Sequence, residues 1–198
     1  MGIVTLVSGG FDSTLMSLMA KEEGVTLFPL FVDYGQLAAA KEWHACKHLH
    51  ERHNLPTVTR MDVSGFGKSI PSGLTDSKLR INEDAFLPGR NLLLVLAGAA
   101  HAYKVQADRV ALGLLDPADH LFPDQTKQFV AACENMIEIA MGKLITILTP
   151  LIEFSKNDVL AMARARGLRN TYSCHAGGDT PCGKCVACIE IANAEERR

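Results

Sequence analysis

Apolar residues recur along the chain in two alternating forms. Short runs of strand type at residues 3–7, 26–32, 57–62, 109–113 and 145–149 are separated by longer amphipathic segments at 13–23, 37–53, 90–104, 124–141 and 156–166. Strands alternating with helices of this length are the sequence form of repeated βα units, so the pattern predicts an α/β fold, a doubly wound parallel five-stranded sheet. Two stretches break the rhythm. Residues 63–89 hold Gly65, Gly67, Pro71, Gly73 and Pro88; a connection this long inside a compact domain is expected to be an active-site loop. Residues 168–180 are a second irregular stretch that leads into a cysteine-rich end. With no repeat or linker before it, the expected organisation is one α/β domain at 1–167 and a tail at 168–198 packed on it.

Composition narrows the function. The chain has 198 residues, 47% of them hydrophobic and 21% charged, which fits a globular domain with a full core. Twenty Lys and Arg against twenty-two Asp and Glu leave a net charge of −2. That balance gives no general electrostatic attraction to nucleic acid or to an anionic membrane, so a small-molecule partner is expected. No apolar run approaches the roughly 18 residues of a membrane span, and Met1 leads into the first strand without a basic region or cleavage site, so the expected location is cytoplasmic.

The chemistry collects at two places. The first strand runs into Ser8-Gly9-Gly10-Phe11-Asp12-Ser13-Thr14 before a helical period resumes at Leu15. Paired glycines allow a sharp turn and close ligand approach, Ser, Asp and Thr are expected to cap the helix, and the helix start favours an anion such as phosphate. The Gly-Lys-Ser/Thr of Walker A and the Gly-x-Gly-x-x-Gly of dinucleotide sites are both absent. At the other end, Cys174 is followed by seven residues and then by Cys182-x-x-Cys185-x-x-Cys188. Four thiolates so spaced can surround one zinc tetrahedrally with no open position, which makes the site structural. Cys46 and Cys133 stand apart in helical stretches and read as small buried hydrophobes. His44, His48, His50 and His53 share the second predicted helix, but no carboxylate or cysteine completes a metal site, and a solvated face is expected.

The turn at 8–14 resembles the Ser-Gly-Gly-x-Asp-Ser loop of the N-type ATP pyrophosphatases, which split ATP into AMP and pyrophosphate to adenylate an oxygen atom. The resemblance continues through Phe31-Val32-Asp33-Tyr34-Gly35-Gln36, Phe86-Leu87-Pro88-Gly89-Arg90-Asn91, and Thr149-Pro150-Leu151-Ile152 with Lys156, and the Tyr172-Ser173-Cys174 start of the tail narrows it to the 7-cyano-7-deazaguanine synthase (QueC) family. The resemblance implies an adenine nucleotide alpha hydrolase-like fold and an ATP-dependent ligase. Such an enzyme adenylates 7-carboxy-7-deazaguanine, amidates it with ammonia and dehydrates the amide to the nitrile preQ0, as a homodimer using Mg²⁺ with ATP. It also implies that ATP meets Val7, Ser8, Gly9, Gly10, Phe11, Asp12, Ser13, Thr14, Phe31, Val32, Tyr34, Gly35, Gln36 and Lys156. Asp12, on the magnesium side, Ser13, Lys156 and Arg90 would be catalytic. Pro88, Gly89, Arg90, Asn91, Gly113 and Asp124 would hold the substrate, and Cys174, Cys182, Cys185 and Cys188 one zinc.

Two stretches depart from the family pattern. Leu37 and Ala38 stand where the family has Arg-His after Tyr-Gly-Gln, and Phe122-Pro123-Asp124-Gln125-Thr126 stands for Tyr-Pro-Asp-Cys-Arg, preceded by an altered Asp116-Pro117-Ala118-Asp119-His120. These departures keep open a paralogue, in antiviral defence for example, that couples the activated carboxylate to another amine such as a protein terminus. A non-catalytic zinc-containing RNA-binding module is a more distant alternative.

Overall fold

A computed structural model of the chain describes residues 2–116 and 122–196. Of the altered 116–120 segment, residues 117–120 therefore lie outside the described residues. Strands β1 (Gly2–Leu6), β2 (Thr26–Asp33), β3 (Thr59–Asp62), β4 (Arg109–Ala111) and β5 (Thr146–Leu148) pair in the order β3-β2-β1-β4-β5, every neighbour parallel. The helices are α1 (Phe11–Glu22), α2 (Ala39–Arg52), α3 (Gly65–Ser69), α4 (Arg90–Lys104), α5 (Lys127–Met141), α6 (Lys156–Ala165) and α7 (Val186–Glu196).

The strands carry apolar residues on both sides, as a sheet covered twice requires. Val4 and Leu6 of β1 and Val110 of β4 share one core cluster with Val95, Ala99 and Ala102 of α4 and Ile137 of α5. Ile3 and Ala111 join the other cluster, with Leu15 and Met16 of α1, Leu49 of α2 and Val159 of α6. Fully burying one such aliphatic side chain contributes roughly 1.5–3 kcal/mol. Because chain connections leave β1 and β4 toward opposite edges of the sheet, a crevice opens at their carboxyl ends, where ligands of open α/β sheets bind.

Several boundaries differ from the sequence reading for local reasons. The second helix begins at Ala39, because the Leu37 amide donates to Leu74 O at 2.8 Å and holds Leu37 and Ala38 in the preceding turn. Pro123–Gln125 form a 3-10 turn, and α5 starts only after Thr126, whose Oγ1 accepts from the Phe129 amide at 3.1 Å. The 63–89 stretch is partly ordered by α3 and buries Leu74, Ala85 and Leu87. Helix α7 was not expected at all. Cys46 and Cys133 are buried as expected. His44 and His48 are exposed, but His50 is 3% exposed with its Nδ1 against Pro56 O at 2.8 Å, so the histidine face is not uniformly solvated.

Candidate active site at the carboxyl edge of the sheet

The chain leaves β1 through Val7 and Ser8 and turns at Gly9, whose φ is +77°. A Cβ there would lie 2.8 Å from Glu42 O and 2.9 Å from the Cys46 nitrogen, so only glycine lets the turn rest on the α2 backbone. Gly10 is the N-cap of α1 and no side chain caps the helix, which corrects the expectation that Ser, Asp or Thr would do so. The hydroxyl of Ser13 instead turns back and accepts from the Ser8 amide at 3.1 Å. The first-turn amides of α1 therefore face the crevice without a side-chain acceptor, a setting that favours an anion.

Lys156 reaches this turn from the first residue of α6. Its helix is fixed by Ser155, whose Oγ accepts from the Asp158 amide while Asp158 Oδ2 accepts from the Ser155 amide, a reciprocal cap. The Lys156 ammonium donates to Asp12 Oδ1 and Oδ2 at 2.9 and 2.8 Å, and Glu190 of α7 lies 3.9 Å away. Arg90 and Asn91 begin α4 after the left-handed Gly89, and Asn91 Nδ2 donates to Asp124 O at 3.0 Å.

Two lobes make up the crevice, of about 240 and 180 Å³. The first lies along the sheet edge against Val7, Phe31, Val32, Tyr34, Asn91 and Gly113. The second is walled by Gly10, Ala85, Phe122, Lys156, Tyr172 and Glu190. Ser8, Asp12, Glu42, Arg90 and His175 line both. Thus the structure brings Val7, Ser8, Gly10, Asp12, Ser13, Phe31, Val32, Tyr34, Gln36, Arg90, Asn91, Gly113 and Lys156 together around the cleft. Gly9, Phe11, Thr14, Gly35, Pro88, Gly89 and Asp124 line neither lobe; Thr14 is buried, Gly35 and Gly89 shape turns, and Asp124 contacts the cleft through Asn91.

Glu42, His175 and Glu190 were not singled out from the sequence, and Tyr172 was named there only as part of the tail motif and not as a cleft residue. Burial pushes Glu42 up to about 7, opposed by the Gln36 hydrogen bond and by Arg90 and assisted by Asp33. Burial likewise raises Tyr34 to about 12. His175 is driven down to about 4 by burial and by Arg90 and Lys156, and its enclosed Nδ1 has no hydrogen-bond partner among the described residues.

The tail crosses this face. Tyr172 N donates to Gly9 O at 2.9 Å, and Gly177, at φ +75°, passes against Leu37 O where a side chain would not fit. The sulfurs of Cys174, Cys182, Cys185 and Cys188 lie within 4.8 Å of one another, a donor set that can hold a metal. Amides already point at them, Cys182 N to Cys174 Sγ and Cys185 N to Cys182 Sγ, each at 3.3 Å. Burial opposes the Cys182 thiolate, but hydrogen bonds from the Lys184 and Cys185 amides and from the Cys174 and Cys185 thiols together outweigh it and bring the thiol down to about 7.

A parallel sheet in this order, with a glycine turn after β1 and a lysine poised over it, has the architecture of the PP-loop ATP pyrophosphatase-like α/β proteins. Solved structures share that fold. One described as a predicted subunit of tRNA methyltransferase from Methanocaldococcus jannaschii superposes with a TM-score of 0.55 at 17% identity, over 83% of this chain and 76% of that one. A 4-thiouridine synthetase in complex with RNA and bound ATP gives 0.54 at 15% identity, over 99% of this chain and 50% of the other.

Within that class, residues 2–197 match the family described as queuosine biosynthesis protein QueC, and the chain belongs to it. Among its relatives is a 7-cyano-7-deazaguanine synthase of Nitratiruptor sp., 30% identical over 95% of this chain and 90% of the relative. Another, 7-cyano-7-deazaguanine synthase 1 of Colwellia psychrerythraea, is 30% identical over 98% and 93%.

Proposed function

We propose that the protein is a cytoplasmic ATP-dependent carbon–nitrogen ligase that makes preQ0 from 7-carboxy-7-deazaguanine, ammonia and ATP, releasing AMP and pyrophosphate. The observation that carries this reading is the two-lobed cleft at the carboxyl edge of β1 and β4, with the uncapped turn and Lys156 on one shared wall. Family membership and the relatives' names support the same substrate.

A carboxylate is a poor electrophile because its oxygen leaves badly. In the proposed reaction the carboxylate oxygen attacks the α-phosphorus of ATP, pyrophosphate departs, and the oxygen becomes part of a good leaving group. The first-turn amides of α1 and the ammonium of Lys156 hold the departing pyrophosphate, where hydrogen-bond donors and a cation stabilise developing charge. Asp12 orients Lys156 and is the carboxylate at the turn that can face the magnesium brought in with ATP. Ammonia then displaces AMP to give the amide. A second adenylation, at the amide oxygen, followed by loss of AMP leaves the nitrile. Tyr34 and Val32 line the nucleotide lobe, while Asn91 and Arg90 offer a donor and a cation to a guanine-like edge and its carboxylate. The four cysteines hold zinc structurally, and the tail they fix supplies one wall of the second lobe. As in related enzymes of the resemblance, two copies form a homodimer.

Mass spectrometry after incubation with 7-carboxy-7-deazaguanine, ammonium and magnesium ATP tests the reading. Nitrile with AMP and pyrophosphate is expected; ADP and phosphate, or no turnover of this acid, would overturn it. A second reading is favoured by one feature. Ala38 is 1% exposed, which leaves no room for a histidine there, and from Leu37 an open groove of about 690 Å³ runs along Arg80, Glu83 and Lys184. A paralogue that passes the activated carboxylate to a larger amine would use such a groove, and its signature is an amide adduct in place of the nitrile.

A further inference from the structure

The two lobes of the cleft meet along a few side chains, and a group passing between nucleotide and acceptor has to react there. Ser8, Asp12 and Arg90 already have work on the phosphate and substrate side, and His175 adjoins Cys174. Glu42 has none. It sits in the first turn of α2 and lines both lobes. Gln36 Nε2 donates to its Oε2 at 2.9 Å, while Gln36 Oε1 accepts from the Tyr34 amide at 2.9 Å. The carboxylate is therefore oriented by a side chain that is itself pinned to the end of β2, an arrangement built for position and not for solvation.

We propose that Glu42 accepts the proton from the amine nucleophile, which makes it a catalytic residue for carbon–nitrogen bond formation; this rests on the ligase reading above. The nitrogen lone pair forms the C–N bond at the acyl carbon of the adenylate. The bond from that carbon to the AMP oxygen breaks, and its electron pair leaves with AMP. The nitrogen, cationic after attack, passes one proton to Glu42, so acyl-adenylate and ammonia become amide and AMP with one proton on the carboxylate. Solvent takes that proton after AMP departs.

The surroundings suit the role. A base works best when its affinity for the proton is matched to the working pH, and burial holds Glu42 near 7. The groups that face it are Asp33 and Tyr34 at the end of β2, Cys46 on its own helix, Arg90 on α4, and Tyr172 on the tail, with His175 in the same lobes. Burial keeps Tyr34 and Cys46 protonated and neutral, and Arg90 and Asp33 are the charges that act on Glu42.

The test compares the wild-type protein with Glu42→Gln, whose amide oxygen can still accept from Gln36. Exchange of labelled pyrophosphate into ATP, dependent on 7-carboxy-7-deazaguanine, reports adenylation alone. Amide and nitrile formation, expressed per free ammonia across pH, reports the bond-forming step. The variant is expected to lose at least about a hundredfold more in bond formation than in exchange, within the range typical of a general base. The wild-type bond-forming profile is expected to break near pH 7, and the variant's not to. Equal losses in the two assays would assign Glu42 a structural role and overturn the inference, as would wild-type rates of amide formation in the variant. Absence of exchange in the wild-type protein would bring down the ligase reading and the inference together, an outcome read without the variant.

Discussion

At the scale of single residues, the Asp12–Lys156 pair binds the first turn of the chain to its last sheet-packed helix. Its ammonium end is 11% exposed and its carboxylate 29%, so removing one partner strands a charge in a partly dry place. Asp12→Asn is expected to abolish substrate-dependent pyrophosphate release and to lower stability by about 1–3 kcal/mol, read from urea midpoints. Glu42 gives a second expectation. It ionises near 7 in the folded protein and near 4.5 when unfolded, so folding takes up a proton between those values. Stability contributed at this residue therefore falls as pH rises from 4.5 to 7 and is level above that. Glu42→Gln is expected to match the wild type near pH 4 and to exceed it by up to about 3 kcal/mol at pH 8, checked by urea titrations at both ends. Lys156 and Asp12 were legible in the sequence because motifs carried them. Glu42 was not, since Lys41-Glu42 reads as the polar face of a helix and only the fold shows that Gln36, six residues back, holds it inward.

At the scale of elements, the five strands and the first, second, fourth, fifth and sixth helices were visible in the hydrophobic period, and their errors lie at ends decided by side-chain caps or turns. The seventh helix escaped because Val186, Ala187, Ile189, Ile191, Ala192 and Ala194 fall on all its sides, so no single stripe stands out. Its position depends on the cysteines that begin it. Stripping the metal with a strong chelator is expected to lower the melting temperature by about 10 °C and to abolish pyrophosphate release, because the wall formed by Tyr172, His175 and Glu190 loses its support. Elemental analysis of the untreated protein is expected to give one zinc per chain.

At the scale of the whole molecule, the fold is shared with a 4-thiouridine synthetase seen with RNA, yet this chain carries a net charge of −2. Retention of tRNA depends on releasing counterions from phosphates through clustered cations, so no shift of micromolar tRNA is expected at physiological salt in a gel assay. The sequence reading reached the same view from charge alone, because that quantity needs no coordinates. What it could not show is that the tail supplies a wall of the cleft. Tyr172 meets Gly9, and Lys156 meets Asp12 across 144 residues. During synthesis the nucleotide turn leaves the ribosome early, whereas the cysteine knuckle that completes the cleft emerges among the last residues of this sequence. A nascent chain can assemble its whole sheet while the wall supplied by Tyr172, His175 and Glu190 is still missing, and under the proposed function metal binding by the four cysteines would then separate a folded chain from a working one.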